Sequence, residues 1–194
     1  MKQLIYILFM LLISCKALAD STEEMRLRTK ADEAFSYCKK NNMDTTFCIL
    51  IDMKVHSGKY RFFVWDFSKK NVADHSLCCH GMGVGSAEET PVFSNKSGSY
   101  CSSLGKYKIG VRSYSNWGIN VHYKLHGLES ANSNAFKRVV VLHSYTPVSE
   151  TEIYPTYLPM GWSLGCPVIS NNIMRILDKK ISIAKRPVLL WIYY

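Results

Sequence analysis

An apolar stretch, Val139-Val140-Val141-Leu142, runs into His143-Ser144, and twenty residues further on the chain reads Ser163-Leu164-Gly165-Cys166-Pro167. A thiol attacks a carbonyl only as the thiolate, so it needs a neighbouring imidazole, and the end of a rigid strand is a good place to hold that base. Gly165 removes a side chain beside the sulfur. The backbone N–H groups of Gly165 and Cys166 can then approach the oxyanion of a tetrahedral intermediate, while Pro167 fixes the backbone after the nucleophile. The chemistry on offer is acyl transfer through a thioester. On these residues alone a cysteine after a glycine is more often a buried structural residue than a catalyst, so the pair has to be judged by what surrounds it.

A second cluster, His122-x-x-x-His126 with Cys78-Cys79-His80, has the residue types of a metal site. Residues four apart on a strand share a face but lie about 13 Å apart along it, too far to hold one ion together. No metal and no cofactor are therefore expected.

The elements that must position these residues follow from periodicity. Leu27, Ala31, Ala34, Phe35 and Cys38 fall at helical spacing behind a Ser21 or Thr22 cap, so residues 20–45 form an N-terminal helical segment. From Thr46 the pattern becomes strand-like, with runs at Phe47 to Val55 and Tyr60 to Phe67 split by Ser57-Gly58 as a hairpin, and another strand after Asn71. Gly81 to Gly105 is rich in glycine and serine and reads as a long loop, and such loops are often functional. Tyr107 to Tyr114, Ile119 to Leu125 and Arg138 to Leu142 are further strands, the last expected to be buried on both faces. Ser170 caps a short helix carrying Ile173, Met174 and Leu177, and Pro187 leads into a terminal strand. The fold class is mainly β with a few short helices.

With 194 residues, 47% of them apolar, the chain can bury one core but not two, so residues 46–194 are read as a single domain. The net charge of +9 points to an anionic partner, but the basic residues are scattered, which argues against nucleic acid. Lys2, the apolar run from Leu4 to Ile13 and Ala17-Leu18-Ala19 have the form of a signal peptide over residues 1–19, so the chain is expected to be exported to the periplasm or cell envelope. Leu12-Ile13-Ser14-Cys15 also has the form of a lipobox cut before Cys15, whose lipid would be the one link to a membrane. The other six cysteines show no regular scaffold spacing and read as mostly buried small hydrophobes.

The chain resembles the L,D-transpeptidase catalytic domain family, whose motif sets His-Ser or His-Gly upstream of a Ser/Thr-His-Gly-Cys box. His143-Ser144 and Ser163-Leu164-Gly165-Cys166 carry the likeness, and Cys166-Pro167 fits the divergent YkuD-like branch with a Ser-x-Gly-Cys-Pro box. His80-Gly81, Phe93-Ser94-Asn95, Gly98-Ser99, Ser102-Ser103-Leu104-Gly105 with Tyr107, Gly127-Leu128-Glu129 and Arg138 extend it over roughly Phe47 to Ile181. The resemblance implies a YkuD-like β-sandwich or mixed sheet, Cys166 as nucleophile, His143 as general base and Ser144 as the residue whose carbonyl orients the imidazole. It further implies peptidoglycan stem peptides as substrate, with either L,D-transpeptidase cross-linking or L,D-carboxypeptidase trimming as the outcome, and a monomer as the working unit. Two departures stand out: Leu164 replaces the box histidine and Val168 replaces an arginine common after the cysteine. Arg138 and Arg112 are the candidates to bind a substrate carboxylate instead, with Ser163 and His80 as further cleft residues. A non-catalytic wall-binding protein of the same fold is the alternative reading.

Overall fold

The computed structural model describes residues 22–194. The signal-like segment, Cys15 and the Ser21 cap lie outside them. A helix, α1, covers residues 22–40. It is followed by β1 (Phe47–Asp52), β2 (Phe62–Asp66), β3 (Asn71–Ser76), β4 (Gly105–Tyr114), β5 (Val121–Gly127), β6 (Val141–Ser144), β7 (Val168–Ile169), helix α2 (Asn171–Ser182) and β8 (Leu189–Tyr193).

All eight strands form one mixed sheet in the order β3-β2-β1-β8-β4-β5-β6-β7. Pairing is antiparallel except for β1 with β8 and β6 with β7. The two edges then meet: the Cys79 N–H donates to the Val168 carbonyl at 2.9 Å, and the Ser170 N–H to the Ser76 hydroxyl at 3.2 Å. The sheet therefore curls into a nearly closed barrel and satisfies edge groups that would otherwise be left open. This is the mainly β single body expected, built as one curled sheet rather than two stacked ones.

Alternation along the strands divides the core. Phe47, Ile49 and Ile51 of β1 and Leu190 and Ile192 of β8 point into the barrel with Phe62, Val64, Leu125 and Leu142, and Ile173, Met174 and Leu177 of α2 join them. Cys48, Leu50, Leu189, Trp191 and Tyr193 point the other way, where Leu27, Ala31, Ala34 and Cys38 of α1 cover them. Each such large apolar side chain contributes about 1.5–3 kcal/mol on burial. The small Ala31 and Ala34 let α1 lie close to the sheet, and Arg26 anchors it through a 2.6 Å ion pair to the buried Asp52.

The strands buried on both faces are thus β1 and β8. The stretch expected to be so, Arg138 to Leu142, is not. Val139 is 67% exposed with φ +58, and pairing begins only at Val141. The reason is a tight turn before it, in which the Arg138 N–H bonds the Asn134 carbonyl and the Val140 N–H the Ala135 carbonyl. Ser170 does stand at the start of α2, but its hydroxyl faces Ser76 rather than capping the helix. Residues between Gly81 and Gly105 form the long loop foreseen, folded on itself through a bridge between Phe93 and Ser102.

Candidate active site

Parallel pairing sets His143 of β6 beside Val168 of β7. Continuing that register two residues back brings Cys166 beside Val141, and the Val141 N–H points at the Cys166 sulfur from 3.4 Å. The Val139 carbonyl lies 3.9 Å from the same sulfur. Two sequence-distant segments are thus held together by backbone register alone. His143 and Cys166 line one cleft of about 700 Å³.

The imidazole of His143 is fixed by its Nδ1, 3.1 Å from the Ser144 carbonyl. A carbonyl only accepts, so Nδ1 carries the hydrogen and Nε2 keeps a lone pair, the tautomer a general base needs. Ser144 is held in turn, since its hydroxyl accepts the Ile119 N–H at 3.1 Å. Gly118 packs against it at φ +58, and any Cβ there would collide with the Ser144 hydroxyl and carbonyl oxygens. Burial lowers the His143 pKa below the ordinary imidazole value, with a smaller contribution from His122 directly opposite on β5, so the ring is neutral at neutral pH. Burial also raises the Cys166 thiol, partly offset by the Val141 N–H and by Arg138. The resting pair is thiol and neutral imidazole.

The box is tied by Ser163, whose hydroxyl donates to the Cys166 carbonyl at 2.6 Å and accepts the Gly165 N–H at 3.0 Å. Ser163 lines the cleft, but both hydroxyl contacts serve the turn. The Gly165 N–H, expected to serve an oxyanion, is taken by the Ser163 hydroxyl, while the N–H that points at the sulfur is that of Val141. Gly165 itself must be glycine: at φ +111 a Cβ would come 2.6 Å from the Cys101 carbonyl oxygen of the long loop.

Arg138 also lines the cleft, but its guanidinium is engaged with the protein. It donates to the carbonyls of Ser94 at 2.9 Å and Cys101 at 2.6 Å and to the hydroxyls of Ser103 at 2.6 Å and Ser99 at 3.4 Å. It pins the long loop to the Val139 turn. Arg112 lies outside the cleft, forked onto Asp178 at 2.8 and 3.0 Å. His80 is not in the cleft lining either; it is buried between the Arg61 guanidinium, 3.0 Å from Nδ1, and the Ala87 carbonyl, 2.9 Å from Nε2.

Several cleft residues escaped sequence reading. Tyr145 stands edge-on between Trp117 and Trp162, with centroid distances of 5.6 and 5.5 Å. Their only sequence signal was that Trp117 sits in a Ser-Asn-Trp-Gly turn between two strands. His122 turns one ring nitrogen to the Tyr114 carbonyl, and its Nε2 is buried without a partner among the described residues. No group of three or more His, Cys, Asp or Glu side chains that could hold a metal ion occurs among the described residues.

The family model for the L,D-transpeptidase catalytic domain, of the YkuD_2 type, matches residues 20–193. No curated protein matches the chain in sequence. Among solved structures, a variant of the helical cell shape determining protein Pgp2 from Campylobacter jejuni is similar at 12% identity and a TM-score of 0.50, covering 85% of this chain and 55% of that one. An L,D-transpeptidase from Xylanimonas cellulosilytica is similar at 11% identity and a TM-score of 0.42, over 76% of this chain and 60% of that one. Bd1075 from Bdellovibrio bacteriovorus matches at 14% identity and a TM-score of 0.43, over 75% and 48%. The chain accordingly spans about half the length of the structures it resembles. With the family model running from ahead of α1 through β8, the chain belongs to the L,D-transpeptidase catalytic domain family.

Proposed function

We propose that this protein is a cysteine acyltransferase that acts on peptidoglycan stem peptides through a thioester on Cys166. The observation that carries the reading is the β6–β7 register, which brings the Cys166 sulfur and the neutral His143 imidazole into one cleft with the imidazole's tautomer already set. In acylation His143 Nε2 takes the thiol proton as sulfur attacks the carbonyl before a terminal D-amino acid. The S–C bond forms, the C–N bond breaks, and the imidazolium returns the proton to the leaving amine. The Val141 N–H, aimed at the sulfur, supports the thiolate and the charge that develops beside it. Deacylation by an amine of a second stem peptide gives a cross-link, and by water a trimmed peptide. Residues 1–19 would direct the chain to the envelope, with Cys15 as the lipid attachment point if the lipobox is used.

The test is a covalent one. The protein is mixed with a sugar-free stem tetrapeptide ending in D-alanine, quenched in acid, digested, and searched for a tripeptide acyl mass on the peptide holding Gly165-Cys166-Pro167. An adduct there, absent from Cys166→Ala, is the expected result. An amine acceptor then sorts cross-linking from trimming. If no adduct forms and D-alanine appears only at background rate, Cys166 is not a nucleophile for this substrate class and the wall-binding alternative takes its place.

A further inference from the structure

The cleft has a charge pattern that the nucleophile and base do not explain. No aspartate or glutamate lines it, while Lys137 and Arg138 both do. Four hydrogen bonds occupy Arg138. Lys137 has no ion pair or hydrogen bond among the described residues, and it is the cleft's other cation. Nor is its place incidental. It sits two residues before Val139, whose carbonyl lies 3.9 Å from the Cys166 sulfur, in the turn that the Arg138 clamp holds against the long loop. Arg112 cannot serve here, since Asp178 holds it outside the cleft.

We propose that Lys137 is a specificity-determining residue that pairs with the free carboxylate of the residue leaving from the scissile bond, so that this site accepts peptides ending at that residue and rejects those that continue or are capped. The inference rests on Cys166 being the nucleophile. The chemistry is simple: a carboxylate entering a cleft with cations and no anion gains a charge-assisted hydrogen bond, whereas a carboxamide leaves the ammonium without its counter-charge. Because the carboxylate belongs to the leaving group, Lys137 acts on acylation and has nothing to hold during deacylation.

Two donors are compared in acylation of Cys166: a stem tetrapeptide with a free C-terminal carboxylate and the same peptide as its C-terminal carboxamide. The unmodified protein is expected to prefer the carboxylate by about ten- to a hundredfold in kcat/KM, the range of a hydrogen bond to a charged group. Lys137→Gln should remove most of that preference, and Lys137→Arg should restore it. A ratio is read on one protein at a time, so a loss of folded protein in either variant lowers both rates and leaves the ratio meaningful. Equal use of both donors by the unmodified protein, or an unchanged preference in Lys137→Gln, overturns the assignment of Lys137 while Cys166 acylation stands. Absence of acylation from both donors in the unmodified protein overturns the nucleophile reading, and this inference with it.

Discussion

On the proposed mechanism Cys166 and His143 act as a unit, because burial raises the thiol and the thiolate would form as His143 takes its proton. Cys166→Ala and His143→Ala are each expected to lower stem-peptide turnover by at least about a thousandfold, and the double variant to lose no more than the worse single one. Multiplying losses would show two independent contributions. The pH profile carries a sign. Burial disfavours the imidazolium, so kcat/KM should rise with pH along an acid limb whose midpoint lies below the ordinary imidazole value of about 6.5. The raised thiol should keep the profile level past the ordinary cysteine range near 8.5 or so. Alkylation of Cys166 is expected to be slow at neutral pH, and a rapid rate there would contradict a thiol raised by burial.

Among the elements, β6 delivers His143, the proposed base, and the loop before β5 holds β6 in place. Gly118 is the narrow point, since its φ is +58 and its missing Cβ leaves room for the Ser144 carbonyl that orients His143. Gly118→Ala is expected to cost about 1–3 kcal/mol of stability and to lower kcat more than it raises KM, as the imidazole anchor moves. Gly85→Ala makes the control. It shares a positive φ of +88 but meets only a Val92 methyl at 3.4 Å, away from the cleft. It should lower the midpoint of a denaturant melt and leave kcat alone. An equal loss of kcat in both variants would mean that Gly118 matters only for folding.

For the whole molecule, the barrel closes where the chain leaving β3 meets β7, and the buried Arg61, just before β2, holds that segment. Its guanidinium donates to the Cys78 and Val55 carbonyls at 2.7 and 3.3 Å and to His80. His80 in turn donates to the Ala87 carbonyl, so a neutral imidazole ties the start of the long loop to the barrel. Burial, with Arg61 beside it, lowers the His80 pKa to about 4. The unfolded chain takes up this proton near pH ~6.5 and the folded chain only near 4, so stability is full above the first value and declines toward the second by roughly 3 kcal/mol. Urea melts between pH 7 and 4 should show that slope, and His80→Gln should flatten it. A slope unchanged in His80→Gln would assign the acid sensitivity to other groups.

The sequence by itself determined what depends on residue type and local period. Cys166 after Gly165, His143 at a strand end, the strand-like apolar runs of β1, β2 and β8 and the apolar face of α1 were all legible there. Only the tertiary structure decided which groups meet. Val139 to Leu142 reads as a doubly buried strand because four apolar residues in a row fit that pattern, yet the turn before Val140 turns Val139 out to solvent. Arg138 and Arg112 are alike in sequence; one is committed to four oxygens of the long loop, the other to Asp178 on α2. Lys137 carries no signal at all until its neighbours are known to be occupied. A cleft lined by residues 97 to 166, drawn from a loop, a turn and several strands, is a product of sheet register, and register is set by long-range pairing that no local period encodes.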